Sequence, residues 1–195
     1  MIEVRDLRHA EIPAAVDVTA RGMRDNPLHL AAYGDDPRRR LSCHARLVGA
    51  LFEVSTSLGL LGAFRDGVLV AVAGAAPAGS CQPTVHQRLR LLPRLASLGP
   101  ATAGRVLVWT RTWAGHDLDE PHIHLGPVAV DAAVQGQGLG TRIMRAHCRR
   151  LDEEAAIGYL ETDKEENVRF YSRFGYEVVG EAPVLGVRNW FMRRG

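Results

Sequence analysis

The chain has 195 residues, of which 24 are basic and 22 acidic, so its formal net charge is only +2. That length suits one domain with its own core, and so small a charge offers no electrostatic reason to bind a nucleic acid or a membrane surface. Three widely spaced cysteines without a CxxC pair argue against a disulfide framework or a cysteine zinc site; with no signal peptide or membrane-spanning run visible, we expect a cytoplasmic location.

The N-terminal half alternates strand and helix patterns. Alternating apolar and polar residues predict a strand over 2–8. Apolar residues at helical spacing predict helices over 11–24 and 37–54. Two apolar runs flank Asp66-Gly67, a dipeptide typical of hairpin turns, and so predict a hairpin over 58–76.

The second half of the chain contains the remaining elements. In chain order we expect helices over 85–98 and 103–115, a strand over 122–130, a helix over 139–155, a strand over 157–162, a helix over 165–174, and strands over 176–181 and 187–193. This order predicts an α/β fold, a single domain over 1–195 whose helices pack around one mixed sheet.

The turn after the strand at 122–130 is the most informative segment. Glycines at 136, 138 and 140 leave backbone N–H groups uncovered at a helix N-terminus, where the helix dipole favours an anion such as a phosphate. A P-loop is excluded because no lysine follows Gly140. A dinucleotide-binding motif fits Gly136 and Gly138, with Glu161 at the distance expected for a ribose contact. However, Thr141 replaces the third glycine and too little chain follows.

The spacing Gln135-x-x-Gly138-x-Gly140, with Val-Ala-Val-Asp before it and the segment 167–176 after it, resembles the GNAT superfamily of acyl-CoA-dependent N-acyltransferases. The likeness is close over 122–182, while the N-terminal half follows only the order of elements. It implies a GNAT-like mixed, mostly antiparallel sheet, flanked by helices and splayed at the CoA-binding strand. It also implies acetyl-CoA as co-substrate and no metal.

The resemblance further implies which residues contact the cofactor. The strand before the loop pairs its backbone with the pantetheine arm, and the loop amides surround the pyrophosphate. Arg142 could support a phosphate or simply belong to a solvated basic helix face. The expected contacts are Val128, Ala129, Val130, Gln135, Gly136, Gln137, Gly138, Leu139, Gly140, Thr141, Arg142, Asn167 and Tyr171.

Asn167 and Tyr171 lie four residues apart and so share one face of the last predicted helix. In the family, residues at these positions hold the pantetheine and protonate the leaving thiolate. A phenol suits the second role because it keeps its proton at neutral pH and can give it to a developing sulfur anion. The alternative is a core aromatic, since Phe170, Phe174 and Tyr176 surround it in the sequence.

Acetylation of an amine also needs a base, because an ammonium ion has no lone pair. His122 and His124 alternate on one strand face, and histidine titrates near neutrality. His124 occupies the place where some members of the superfamily carry a glutamate, and Glu120 is the nearby carboxylate alternative. The same histidines could instead line a polar pocket. With His116, and near Asp117, Asp119 and Glu120, they could also hold a metal.

Within the family, the C-terminal half is closest to small-molecule acetyltransferases of the puromycin N-acetyltransferase type. These enzymes have a helical insertion before the CoA-binding strand, expected here at about 80–118, in which Trp109 and Trp113 would help wall the acceptor pocket; the alternative for Trp113 is a place in the core. The expected function is transfer of an acetyl group from acetyl-CoA to the primary amine of a small molecule by direct attack on the thioester. A protein or peptide N-acetyltransferase and a non-catalytic acyl-CoA-binding sensor domain remain alternatives, and a homodimer through the C-terminal strands is one option.

Overall fold

The computed structural model describes residues 1–195, and one seven-stranded sheet runs through it. The strands are β1 (Ile2–Asp6), β2 (Gly59–Arg65), β3 (Val68–Ala76), β4 (Ile123–Val130), β5 (Gly158–Thr162), β6 (Glu177–Val184) and β7 (Val187–Arg194). Their order across the sheet is β1-β2-β3-β4-β5-β7-β6. Every neighbouring pair is antiparallel except β4 and β5, which are parallel, so the predicted mixed, mostly antiparallel sheet is confirmed.

Seven α-helices flank the sheet. They are α1 (Ile12–Met23), α2 (Pro27–Tyr33), α3 (Pro37–Val54), α4 (Val85–Ala96), α5 (Pro100–Ala114), α6 (Leu139–Glu153) and α7 (Glu165–Ser172). The short helix α2 is the element that the sequence pattern did not predict. Pro27, which reads as a stop for the preceding helix, is the first residue of α2, where its missing N–H leaves no hydrogen bond unmade. None of the helices combines the length and apolar character that crossing a membrane requires.

The two faces of the sheet pack against different helices. Leu60 and Val72 belong to a core cluster with residues of α1 and α3. Leu61 and Ala73, their neighbours along β2 and β3, belong to a second cluster with residues of α6. Successive side chains of a strand point to opposite faces, so the apolar runs of this hairpin are buried on both sides. The site described below therefore stands on a rigid central sheet.

The helices α4 and α5 lie between β3 and β4 in the chain, and α5 joins a third core cluster with α2. Trp109 is buried there, with its ring centroid 5.4 Å from that of His29. Trp113 is half-buried and donates from its indole N–H to Asn189 of β7 at 3.0 Å. Trp109 thus packs in the core between α2 and α5, and the Trp113 indole ties α5 to β7.

A buried histidine in α6 makes the free energy of unfolding depend on pH. His147 contacts the hydroxyl of Tyr176 at 3.0 Å, and burial, followed by the positive charges of Arg194 and Arg150, lowers the pKa of His147 to about 4. An unfolded histidine titrates near 6.5, so between these values the unfolded chain binds more protons and stability falls as the pH falls. We expect this residue to remove up to about 3 kcal/mol of unfolding free energy over that range.

Urea denaturation near pH 7 and at about pH 4.5 measures this loss. His147→Gln keeps a hydrogen-bonding partner for Tyr176 without the titration, so its two midpoints should lie closer together than those of the wild type. Burial also lowers the pKa values of His29 and His44, which is why the pH dependence should shrink rather than vanish. An unchanged difference between the midpoints would show that His147 does not contribute.

Candidate active site

The strand β4 is paired with β5 over its first two residues only. It pairs with β3 up to Val130, whereas on the other side it pairs with β5 only at Ile123 and His124. Beyond His124, the β5-facing edge of β4 has no strand partner over 125–130. An open strand edge can bind an extended, amide-containing chain by backbone hydrogen bonds. The splay that the family resemblance implies is therefore present in the sheet.

A row of free amides follows at the end of this open edge. No backbone N–H from Gly136 to Thr141 donates to another protein group, and the first bond of this turn runs from Arg142 N–H to the Gly138 carbonyl at 3.2 Å. Gly136 and Gly138 both adopt φ of +76°, in the left-handed region that favours glycine. The helix α6 begins here, so its dipole and its free N–H groups point toward the same position. This geometry suits a pyrophosphate.

Side chains hold this loop against α1. Asp131 accepts hydrogen bonds from Arg21 at 2.9 and 2.7 Å and from the N–H of Ala133 at 3.1 Å. Burial acts to raise the pKa of Asp131, but these contacts outweigh it and lower that pKa, so the carboxylate stays charged. Gln135 donates its side-chain amide to the carbonyls of Gly22 at 3.2 Å and Val130 at 3.1 Å. The Gln135 side chain, one of the predicted cofactor contacts, is thus engaged inside the protein.

The close approach of α1 to β4 depends on a glycine. A Cβ atom at Gly22 would lie 2.4 Å from the carbonyl oxygen of Val130. A larger residue would therefore push α1 away from the strand and the loop it supports.

Tyr171 stands at the β5 side of the gap, on α7. Its ring is buried, with 7% of the residue exposed, and packs edge-on against Phe170. The hydroxyls of Tyr33, Tyr159 and Tyr176 all have partners, whereas that of Tyr171 makes no hydrogen bond and is not fully enclosed. Burial, and then the negative charge of Asp163, raises the pKa of Tyr171. The phenol is therefore protonated at neutral pH and free to donate.

Asn167 lies one helical turn before Tyr171. It donates from its amide to Thr162 Oγ1 at 3.1 Å, which ties α7 to the last residue of β5. Its side-chain oxygen makes no hydrogen bond within the protein. Arg142, at the start of α6, is exposed and forms no ion pair, so both roles considered for it remain open.

His124 occupies the last position where β4 and β5 are paired. Its Nε2 lies 2.7 Å from Glu161 Oε2, and Glu161 is only 3% exposed. Burial by itself would lower the pKa of His124. The charge of Glu161, hydrogen bonds with Cys81 and Glu161, and the charge of Asp117 instead raise this pKa to about 10. The contact with Glu161 therefore favours the protonated form of His124, in which Nε2 donates to the carboxylate.

The two other candidate bases are differently placed. His122 is buried; its Nδ1 donates to the carbonyl of Glu120 at 2.9 Å, and its Nε2 lies 2.8 Å from Asp117 Oδ1. The carboxylate of Glu120 accepts from Arg193 at 2.6 Å, which is the main reason why the pKa of Glu120 is lowered. Glu120 is thus held in a surface ion pair. His116 is exposed and stacks on Phe191, with ring centroids 4.2 Å apart, away from the histidine pair.

Sequence reasoning missed two residues beside His122 and His124, namely Glu161 and Cys81, whereas Asp117 was among the acidic residues considered for a metal. Glu161 was considered only as a ribose contact in a dinucleotide fold. Its place beside His124 follows from the parallel register, in which His124 lies opposite Tyr159 on β5. A register-based argument on the two strands would have found it. Cys81 is more than forty residues from His124 in the sequence, and no local pattern connects them.

A sheet that opens beside an anion-binding helix end is the architecture of an acetyl-CoA-dependent transferase. The chain belongs to the Acetyltransferase (GNAT) family, whose sequence profile matches residues 28–176. Acetyl-CoA is accordingly its co-substrate.

Solved structures with low sequence identity share the fold. The one described as histone acetyltransferase HPA2 and related acetyltransferase, from Corynebacterium glutamicum, is 21% identical, with a TM-score of 0.72 over 99% of this chain and 95% of that one. A polyamine N-acetyltransferase from Drosophila melanogaster is 14% identical, with a TM-score of 0.64 over 99% and 98%. A GNAT family acetyltransferase from Brucella melitensis, in complex with acetyl-CoA, is 18% identical, with a TM-score of 0.55 over 99% and 86%.

Proposed function

We propose that the protein transfers the acetyl group of acetyl-CoA to the primary amine of a small molecule. The observation that carries the choice of acceptor is the cover over the start of β4. Gln82 donates to Asp117 at 2.8 Å, and the hydroxyl of Tyr159 donates to the carbonyl of His116 at 2.8 Å. These contacts tie the segment 77–121 across the end of the sheet where the acceptor would enter. A peptide acceptor needs an open groove there, whereas a small amine does not.

The segment with α4 and α5 is, in this proposal, the helical insertion of about 80–118. A hydrogen bond between Gln82 and Asp117 joins the loops before and after the two helices, and α5 packs on α2. The rest of the chain supplies the donor site, and all of it belongs to one domain over 1–195.

On the donor side, the amides of Gly136 to Thr141 would hold the pyrophosphate, and the open edge of β4 would pair with the pantetheine arm. The thioester would then lie toward the start of β4, where we propose that it meets His124 and Tyr171. The amine nitrogen attacks the thioester carbonyl carbon, the C–S bond breaks, and the thiolate leaves with the phenolic proton of Tyr171.

The proton that the amine loses goes to Glu161 or to water in this scheme. Glu161 Oε1 is buried and has no hydrogen-bond partner, so it is the acceptor atom left free at this point. The imidazolium of His124 would then orient the carboxylate rather than act as the base itself. Glu120 is assigned no proton transfer because its carboxylate is paired with Arg193, and His122 is assigned none because its Nε2 lies beside Asp117 Oδ1.

A peptide acceptor is the second candidate function. The similar structure with the higher TM-score is described as a histone acetyltransferase, and another is described as a polyamine N-acetyltransferase. Both kinds of acceptor thus occur on this fold, and fold alone does not choose between them.

The test is release of free thiol from acetyl-CoA over a panel of polyamines, agmatine, aminonucleosides and short peptides. We expect turnover with at least one small amine and none with peptides above the rate without acceptor. Turnover confined to peptides would replace the small-molecule acceptor by the second candidate. Tight acetyl-CoA binding in calorimetry, with no acceptor used, would instead favour a non-catalytic sensor.

A further inference from the structure

A sulfur and two imidazoles converge beside the start of β4. Cys81 Sγ and one ring nitrogen from each of His122 and His124 lie within 4.8 Å of one another. The cysteine comes from the loop after β3, and both histidines come from β4 or the residue before it. The proposed acetyl transfer does not use Cys81, whose Sγ also lies 3.7 Å from the carbonyl oxygen of His122.

Each histidine is oriented by a hydrogen bond on its outer nitrogen. His122 donates from Nδ1 to the carbonyl of Glu120 at 2.9 Å, which leaves Nε2 for the cluster. His124 bonds through Nε2 to Glu161 at 2.7 Å, which leaves Nδ1. Histidines that bind metals are held in this way, with one nitrogen on the ion and the other donating to a carboxylate or a backbone carbonyl.

Unsatisfied polar atoms are found on His122 and on the carboxylates that contact the two histidines. Six buried side-chain atoms of the protein lack a hydrogen-bond partner, and three of them are Asp117 Oδ1, His122 Nε2 and Glu161 Oε1. His122 is only 5% exposed, and its Nε2 lies 2.8 Å from Asp117 Oδ1 without the alignment of a hydrogen bond. A buried polar atom left without a partner is destabilising, and such atoms are uncommon in native proteins. A cation near both atoms would satisfy them.

We propose that Cys81, His122 and His124 bind a zinc ion, with water in the fourth position beside Asp117. One sulfur and two imidazole nitrogens form a donor set that suits Zn²⁺, whereas Mg²⁺ and Ca²⁺ select oxygen ligands. Binding releases the thiol proton of Cys81 and the Nδ1 proton of His124 to solvent. The ion would link the loop after β3 to the start of β4. The site shares His124 with the acyl-transfer proposal, and a zinc-bound His124 would be neutral while still donating from Nε2 to Glu161.

The experiment starts from wild-type protein freed of metal with a chelator. Titration with Zn²⁺ against a chromophoric chelator should show one tight site per chain. Cys81→Ser and His122→Gln should each weaken it by roughly 10²-fold, at least as much as loss of an outer-shell partner weakens known sites. With Co²⁺ in place of Zn²⁺, the wild type should show a thiolate-to-metal charge-transfer band that Cys81→Ser lacks.

Two variants serve as matched controls. Cys148→Ala removes a buried core cysteine of α6, and His116→Ala removes an exposed imidazole next to Asp117; neither should change Zn²⁺ affinity.

If Cys81→Ser fails to fold, alkylation of the wild type replaces it, since Cys81 is less buried than the other two cysteines. Zn²⁺ should then slow modification of Cys81. Wild-type affinity no higher than that of His122→Gln, or alkylation unaffected by Zn²⁺, would overturn the site and leave an ion pair between His122 and Asp117.

Discussion

Replacing Tyr171 with phenylalanine is expected to lower kcat by about 10²-fold while changing the affinity for acetyl-CoA by less than about twofold. The substitution removes only the hydroxyl, which makes no hydrogen bond in the protein, and leaves the ring packed against Phe170. Stability should therefore be nearly unchanged, whereas the leaving thiolate loses its proton donor. Steady-state thiol release and calorimetric titration with acetyl-CoA measure the two quantities separately.

Tyr176→Phe is the matched control for this experiment. Tyr176 is also a buried tyrosine near α7, but its hydroxyl is paired with His147 at 3.0 Å. Its loss should lower stability by about 1 kcal/mol and leave kcat near the wild-type value. A wild-type kcat for Tyr171→Phe would assign Tyr171 to the core alone.

Replacing Gly138 with alanine is expected to weaken acetyl-CoA binding about tenfold. Gly138 has φ of +76°, and an alanine in the left-handed region is strained by roughly 1–2 kcal/mol, so the loop would relax and turn its amides away. No protein atom lies within 4 Å of the Cβ that alanine would add, so the effect comes from the backbone and not from a clash. The dissociation constant of acetyl-CoA, measured by calorimetry, gives the size of the loss.

Gly140→Ala separates backbone strain from the mere presence of a methyl group. A Cβ at Gly140 would meet Phe170 Cζ at 3.4 Å and Val130 Cγ2 at 3.7 Å, so it points into the protein rather than over the amides. Its φ is not in the left-handed region. We expect acetyl-CoA affinity within about threefold of the wild type. The reverse ranking of the two variants would mean that the amides of 136–141 do not bind the pyrophosphate.

The donor half of the site follows from local sequence. Glycines at 136 and 138 allow positive φ at a strand-to-helix turn, and the free amides follow from the helix end itself. The four-residue spacing of Asn167 and Tyr171 likewise places them on one face of α7. The strands and helices are equally local, since their periodicities are read within a few residues. Only α2 was missed, because a proline is expected to end a helix and here begins one.

The acceptor half of the site could not be predicted from local sequence, because strand register and loop contacts bring together residues that are far apart in the chain. Whether His124 is a free base depends on Glu161, and that contact exists only because β4 and β5 are parallel and pair at these residues. The wide spacing of the three cysteines predicted no cysteine zinc site. The fold nevertheless brings Cys81 close to His122 and His124. A positive φ is a requirement of single positions in the chain, so the glycines at 136 and 138 reveal it in the sequence. The charge and ligands of a buried side chain depend instead on its neighbours in space, and those are set by packing of the whole sheet.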